Sequence, residues 1–167
     1  MIIRRALPAD VPAILALVRR LVPLMQASGN FQWSIDYPNE AVFVADITQN
    51  HLWVAELGGA LVGVAALTQD QDAEYAQADW DVAEPALVTH RLAVDPAAQG
   101  KGVALALMAQ AEKQAVAQKL KVLRVDTNSE NAATQRLFPK LGYRFAGEIT
   151  LAFRPGLRFF CYEKRLD

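Results

Sequence analysis

Cysteine is almost absent from this sequence. Cys161 stands alone among 167 residues, so no disulfide can close within the chain. A lone thiol fits a reducing compartment, and the expected location is cytoplasmic. No apolar run approaches the roughly 18 residues of a membrane span. Neither sign of charge is in excess: 17 Lys and Arg face 18 Asp and Glu, a formal net charge of −1. That balance gives no global electrostatic case for nucleic acid or a membrane surface as a partner. Histidine is scarce too, with only His51 and His90, and no metal site is expected. His51 opens a strand and reads as structural or surface. Arg4-Arg5 precedes an apolar stretch, but Pro8, Asp10 and Pro12 interrupt it, which argues against a secretory leader. Internal repeats and low-complexity tracts are missing as well.

What is present suits an ordinary globule: 53% of residues are apolar and 21% charged. A chain of this length reads as one domain over residues 1–167, able to bury about 70% of its unfolded surface. Ile2 to Arg5 reads as a first strand. Asp10 is a good N-cap for a helix from Val11 to about Met25, with Ile14, Leu17, Val18, Leu21 and Val22 on one face. A second helix is expected over Asn39 to Thr48. Phe31, Trp33 and Tyr37 cluster between the two, either lining an acceptor pocket or plugging the end of the core. His51 to Leu57 and Ala60 to Thr68 form a hairpin about Gly58-Gly59. Gln69 to Pro85 carries six acidic residues and no Lys or Arg. It reads as a solvated acidic loop, or as a gate that draws a cation inward. A helix from about Gly102 to Lys119 buries Val103, Leu107, Met108, Ala111 and Ala115. Lys121 to Thr127 is a strand, and a short helix follows through about Leu141, closed by Gly142. Tyr143 to Phe153 and Leu157 to Lys164 read as the last two strands. This order lacks the strict alternation of a doubly wound sheet. It predicts an α/β (α+β) fold: a mixed, mostly antiparallel central sheet with helices on both faces.

The stretch from Val88 to Ala104 carries the chemistry. Val88 to Val94 has the β-branched, apolar character of a buried strand, and Asp95-Pro96 ends it. Gly100 and Gly102 then bracket Lys101 where helical periodicity begins. Free amides at a helix start make an anion cradle, most often for phosphate. A P-loop would need glycine at Asp95 and Ser or Thr at Gly102, so that reading fails. The dinucleotide fingerprint would need Gly or Ala where Leu105 stands.

What fits is Gln99-x-x-Gly102-x-Ala104, which resembles the acetyl-CoA pyrophosphate loop of the GNAT acyltransferase superfamily. A second stretch, Asn131-Ala-Ala-Thr-Gln-Arg-Leu137-Phe138-Pro139-Lys140-Leu-Gly142-Tyr143, is similar to that family's Asn-x-x-Ala-x-x-Leu-Tyr-x-Lys-x-Gly-Phe signature. The element order resembles the GNAT fold over nearly the whole chain. The resemblance implies acetyl-CoA as co-substrate, lying where the central strand and its neighbour splay apart, and an amine as acceptor. It implies that Leu92, Ala93 and Val94 meet the pantetheine arm through strand amides. It implies that Gln99, Gly100, Lys101, Gly102, Val103 and Ala104 wrap the pyrophosphate. Asn131, Phe138 and Lys140 complete the expected cofactor contacts, with Arg136 a weaker neighbour.

Acyl transfer from a thioester to an amine asks little of a protein. The amine must be placed, its proton removed and the oxyanion stabilised. Val94 is the candidate amide for the oxyanion. His90 is the candidate base, since imidazole titrates near neutrality. It stands two residues before Leu92, so strand alternation would put both side chains on one face. A structural role for His90 stands beside that reading, and Glu84 and Asp126 are lesser candidate bases. The Tyr that the family often uses to protonate the leaving thiolate is replaced by Phe138, so either the thiolate leaves unassisted, or water or another tyrosine, Tyr162 or Tyr75, serves. The expected function is therefore an N-acetyltransferase acting on a primary amine of a small molecule or protein. A non-catalytic acyl-CoA sensor and a nucleotide-binding domain are the alternatives. A homodimer paired through the last strands is a further expectation.

Overall fold

Helix-period and alternating apolar patterns sort this chain into seven strands and four α-helices, and the computed structural model describes all of residues 1–167. The strands are β1 (Ile2–Arg5), β2 (Leu52–Leu57), β3 (Ala60–Thr68), β4 (Ala86–Val94), β5 (Val122–Asn128), β6 (Arg144–Ile149) and β7 (Phe159–Arg165). The helices are α1 (Val11–Ala27), α2 (Glu40–Thr48), α3 (Val103–Ala117) and α4 (Ala132–Lys140). One sheet runs in the order β1-β2-β3-β4-β5-β7-β6. Every neighbouring pair is antiparallel except β4 and β5, which are parallel. The expected mixed, mostly antiparallel sheet is what forms.

Both faces are covered. Ile14, Leu17 and Val18 of α1 and Phe43 of α2 pack on Leu52, Val54, Val64, Ala66 and Ala93. On the opposite face α3 buries the expected stripe, Val103, Leu107, Met108, Ala111 and Ala115, against Ala55, Ala65, Leu67, Leu87 and Leu123. Gly63 of β3 lets α3 come close: a Cβ there would stand 2.5 Å from Val103 Cγ1. Gly58 and Gly59 turn the β2–β3 hairpin with φ of 60° and 81°, and Gly142 closes α4 with φ of 84°.

Three expectations need correction. Asp10 does not cap α1 through its side chain. Its carboxylate accepts from the Leu7 amide at 2.7 Å, which closes a 3₁₀ turn over Pro8–Asp10, and it pairs with Arg4.

The acidic segment after β3 is more than a solvated loop: most of it is exposed, as expected, but it is anchored to the core. Tyr75 and Ala78 are buried there beside Val88, Phe159 and Cys161. Fully buried Arg124 reaches out of β5 to hold the segment, donating to Gln71 Oε1 at 2.6 Å and to the Asp81 carbonyl at 2.7 Å, with Trp80 stacked on its guanidinium.

β6 also ends earlier than the alternation suggests, at Ile149, and β7 starts only at Phe159. The intervening amides bond elsewhere: Thr150 donates to Gln77 Oε1 and Ala152 to Glu74 Oε1. Side chains of the acidic segment take the place of a strand partner. No helix is long and apolar enough to cross a membrane.

Candidate active site

The parallel pair β4 and β5 stays in register only from Ala86–Val122 to Thr89–Val125. Beyond that fork β5 continues with β7 while β4 continues with β3. Arg91 adopts φ of +52°, a left-handed conformation uncommon for a residue with a Cβ, and the β3–β4 register shifts there. Two side-chain bonds hold it, from Nε and Nη2 to the two Asp46 carboxylate oxygens at 2.7 Å each. After the bulge the Asp95 amide donates to the Val62 carbonyl on β3 at 2.8 Å. Amides alternate along a strand, so those of Val94 and Leu92 face the opposite edge, where β5 has gone. That is an unpaired strand edge inside the molecule.

Asp95 ends β4 and organises the turn into α3. Its Oδ1 accepts from the Ala97 amide at 2.9 Å and its Oδ2 is held by Arg20 of α1. Burial works against this carboxylate's charge, but Arg20 and the Ala97 amide outweigh it and hold the group below the usual carboxylate range. The chain then passes Gly100 and Gly102, with φ of 75° and 77°, into α3. The amides of Gly100 and Gly102 donate to nothing in the protein, and helical bonding starts only with Ala106 donating to the Gly102 carbonyl at 3.0 Å. The Val103, Ala104 and Leu105 amides therefore precede the helical ladder, a cluster of donors at the positive end of a helix.

Loop, fork and the far side of the sheet enclose one cavity of about 800 Å³. His90 lies on its wall with Asp72 and Asp126, their ligating atoms all within 4.8 Å of one another. His90 Nε2 stands 3.3 Å from the Asp70 carbonyl; a carbonyl can only accept, which favours the Nε2–H tautomer and leaves Nδ1 as the basic nitrogen. The Tyr75 hydroxyl, fully buried, donates to Asp126 Oδ2 at 2.5 Å. Burial pushes the Asp126 carboxyl up, with Asp72 adding to the shift; His90 and the Tyr75 hydrogen bond oppose it without reversing it. Burial likewise pushes the Tyr75 phenol well above its ordinary value. Three carboxylate- and histidine-type ligands this close form a set that a cation would suit, metal or ammonium.

The fold brings most of the expected residues together. Leu92, Ala93, Val94, Gln99, Gly100, Gly102, Val103, Ala104, Asn131 and Phe138 all line the cavity. Lys101 and Lys140 are exposed and off its wall. Tyr162 is withdrawn from it as well: its ring is buried against Phe138 and Phe145, and burial raises its phenol. Glu84 is taken by Arg165 at 2.7 and 2.9 Å. The expectation that His90 and Leu92 share a face fails. The Arg91 bulge adds one residue, so Leu92 packs with the α3 core while His90 turns to Asp72 and Asp126.

Sequence reasoning missed Asp72, since one acid among six in a segment carries no mark, and Thr89. The Thr89 Oγ1 is buried on the cavity wall at the fork and has no hydrogen-bond partner. Of the aromatic cluster, Trp33 and Tyr37 do line the cavity, joined by Phe153, while Phe31 does not.

Residues 18–143 match the family model of the acetyltransferase (GNAT) family. No curated protein matches the sequence as a relative. Among solved structures, a GNAT-family acetyltransferase from Streptococcus agalactiae superposes with a TM-score of 0.80 at 26% identity, covering 99% of this chain and 95% of that one. One from Listeria monocytogenes gives 0.76 at 22% identity, over 99% and 94%. The yncA protein of Salmonella typhimurium, solved with its cofactor acetyl-CoA, gives 0.72 at 21% identity, over 100% and 94%. The last two speak for the fold alone.

Proposed function

Because this chain belongs to the GNAT acetyltransferase family, we propose that it moves the acetyl group of acetyl-CoA onto a primary amine by direct attack on the thioester. The observation that carries the reading is the set of unpaired amides at Leu92, Val94, Gly100, Gly102, Val103 and Ala104 beside a cavity of about 800 Å³. Nothing inside the protein uses those amides, and a diphosphate needs just such a set. Gly100 and Gly102 leave open space where a Cβ would project, so backbone can approach a ligand there. Asn131 and the Leu92 edge fit an extended amide-bearing arm alongside.

Bound acetyl-CoA supplies an already activated thioester, and the remaining demands fall on the chain. Asp72 and Asp126 draw an ammonium to the floor of the cavity. The ammonium first gives one proton to solvent, which frees its lone pair; His90 takes the second as the C–N bond forms and passes it on to the leaving thiolate. The Val94 amide, free at the strand edge, donates to the oxyanion. The C–S bond then breaks, and the thiolate needs only one donor, because a thiol is far more acidic than an alcohol. Thr89 Oγ1 offers a hydroxyl at the fork, where Phe138 has none to give.

Release of free thiol from acetyl-CoA over an amine library tests the proposal. His90→Ala should lower kcat roughly a hundredfold or more while leaving the Kd for acetyl-CoA unchanged. Full turnover in that variant overturns the base assignment. Tight acetyl-CoA binding with no thiol release from any amine would point instead to a sensor.

A further inference from the structure

The wall of the cavity beyond His90 is chemically one-sided. Met25, Trp33, Tyr37, Leu151 and Phe153 supply apolar surface there. Tyr37 and Phe153 face each other at 6.0 Å between ring centroids. Arg154 fixes this collar from outside. Its Nε donates to the Gln32 carbonyl at 2.7 Å, and its guanidinium stacks over Tyr37 at 4.6 Å and Phe153 at 5.4 Å. Arg154 itself is not on the wall. The charged side chains on the wall itself are Asp72, Arg91, Asp126 and Glu130, while Arg154 lies behind the collar. Arg91 is the only Arg or Lys on the whole wall, and Asp46 neutralises it through two bonds of 2.7 Å.

From this distribution, and resting on the acetyl-transfer reading above, we infer that the acceptor is a primary amine on an aryl or branched apolar body with no anionic group beside the nitrogen. The two carboxylates suit an ammonium. A carboxylate on the neighbouring carbon would face Asp72 and Asp126 with no free cation on the wall to pair with, and like charges placed together in a partly dry site are strongly disfavoured. The ring collar takes the apolar body out of water, which a hydrated polyamine would not repay. The site therefore discriminates by charge on one side of the amine and by desolvation on the other.

Four acceptors separate these terms: 2-phenylethylamine, phenylalaninamide, phenylalanine and spermidine, each with saturating acetyl-CoA and read by free thiol. The first two should show kcat/KM at least about tenfold above phenylalanine and above spermidine. Phe153 is 51% exposed, so Phe153→Ala should fold. It should raise the KM for 2-phenylethylamine several-fold and leave the KM for acetyl-CoA unchanged. Asp72→Asn should do the same for both aryl amines. Phenylalanine as the best acceptor overturns the inference, and would point to the buried Arg154 Nη2, which has no partner, as a carboxylate anchor. Spermidine as the best acceptor overturns it too, leaving charge without desolvation. In both cases acetyl transfer itself stands. Should none of the four release thiol while another amine of the library does, this inference falls and acetyl transfer stands; should no amine of the library release thiol while acetyl-CoA still protects the protein from unfolding, both fall together.

Discussion

At the scale of single residues, Asp126 carries a conflict between stability and function. It lies on β5 at the cavity wall with Tyr75 donating to it, and burial raises its carboxyl above the usual range. A carboxyl raised by folding contributes stability that is fully present below the ordinary carboxylate pKa and is lost as pH rises through the folded value. At neutral pH its ionised form therefore costs stability. Asp126→Asn keeps an acceptor for the Tyr75 hydroxyl and removes the charge. It should raise the thermal midpoint by several degrees at neutral pH, with the gain disappearing below about pH 4. The same variant should bind the amine more weakly. Thermal unfolding scanned against pH checks the first part and the acceptor KM the second. A midpoint unchanged at neutral pH would mean that burial of this charge costs nothing.

At the scale of elements, the site is a product of two departures from regular structure on β4. The bulge at Arg91 turns His90 away from the α3 face, and the loss of β5 at Thr89 leaves the Leu92 and Val94 amides without a strand partner. α3 then has to start at the right height above this edge. Gly63 sets that height: a methyl there would meet Val103 Cγ1 at 2.5 Å, Leu107 Cδ1 at 3.1 Å and the Ala93 carbonyl at 3.3 Å. Gly63→Ala should destabilise the protein by about 1–3 kcal/mol through overpacking. It should also raise the KM for acetyl-CoA, because Val103 and Ala104 supply first-turn amides. Urea unfolding and a donor titration measure both effects. A stable variant with unchanged donor KM would show that the helix can shift without cost.

At the scale of the whole molecule, the cavity joins elements far apart in sequence: the end of α1, the β4–α3 loop, the start of α4 and the segment after β6. A ligand spanning them binds only the folded state. Acetyl-CoA at a hundred times its Kd should add about 2.7 kcal/mol to stability. ATP shares phosphates and adenosine but lacks the pantetheine arm, and should shift the midpoint far less. Equal shifts would favour a plain nucleotide site.

The long elements were legible because their signals are local. The α3 stripe, the Gly58-Gly59 hairpin and the Gly142 cap are each written within a few residues. The turn between β4 and α3 was legible for the same reason, since Gly100 and Gly102 both take positive φ there. The packing of the acidic segment was not, because Arg124, which holds it, lies about forty residues further on and carries no local mark.

By itself, then, the sequence determined most of the helices and strands and the turn at Gly100 and Gly102, because those depend on neighbours along the chain, while the parting of β5 from β4 left the Leu92 and Val94 amides without partners. Tertiary structure alone decided which way His90 points, that Asp72 and Asp126 join it, and that Tyr162 does not. Side-chain direction past a bulge, and the company a group keeps across a sheet, depend on contacts between residues that the chain itself holds far apart.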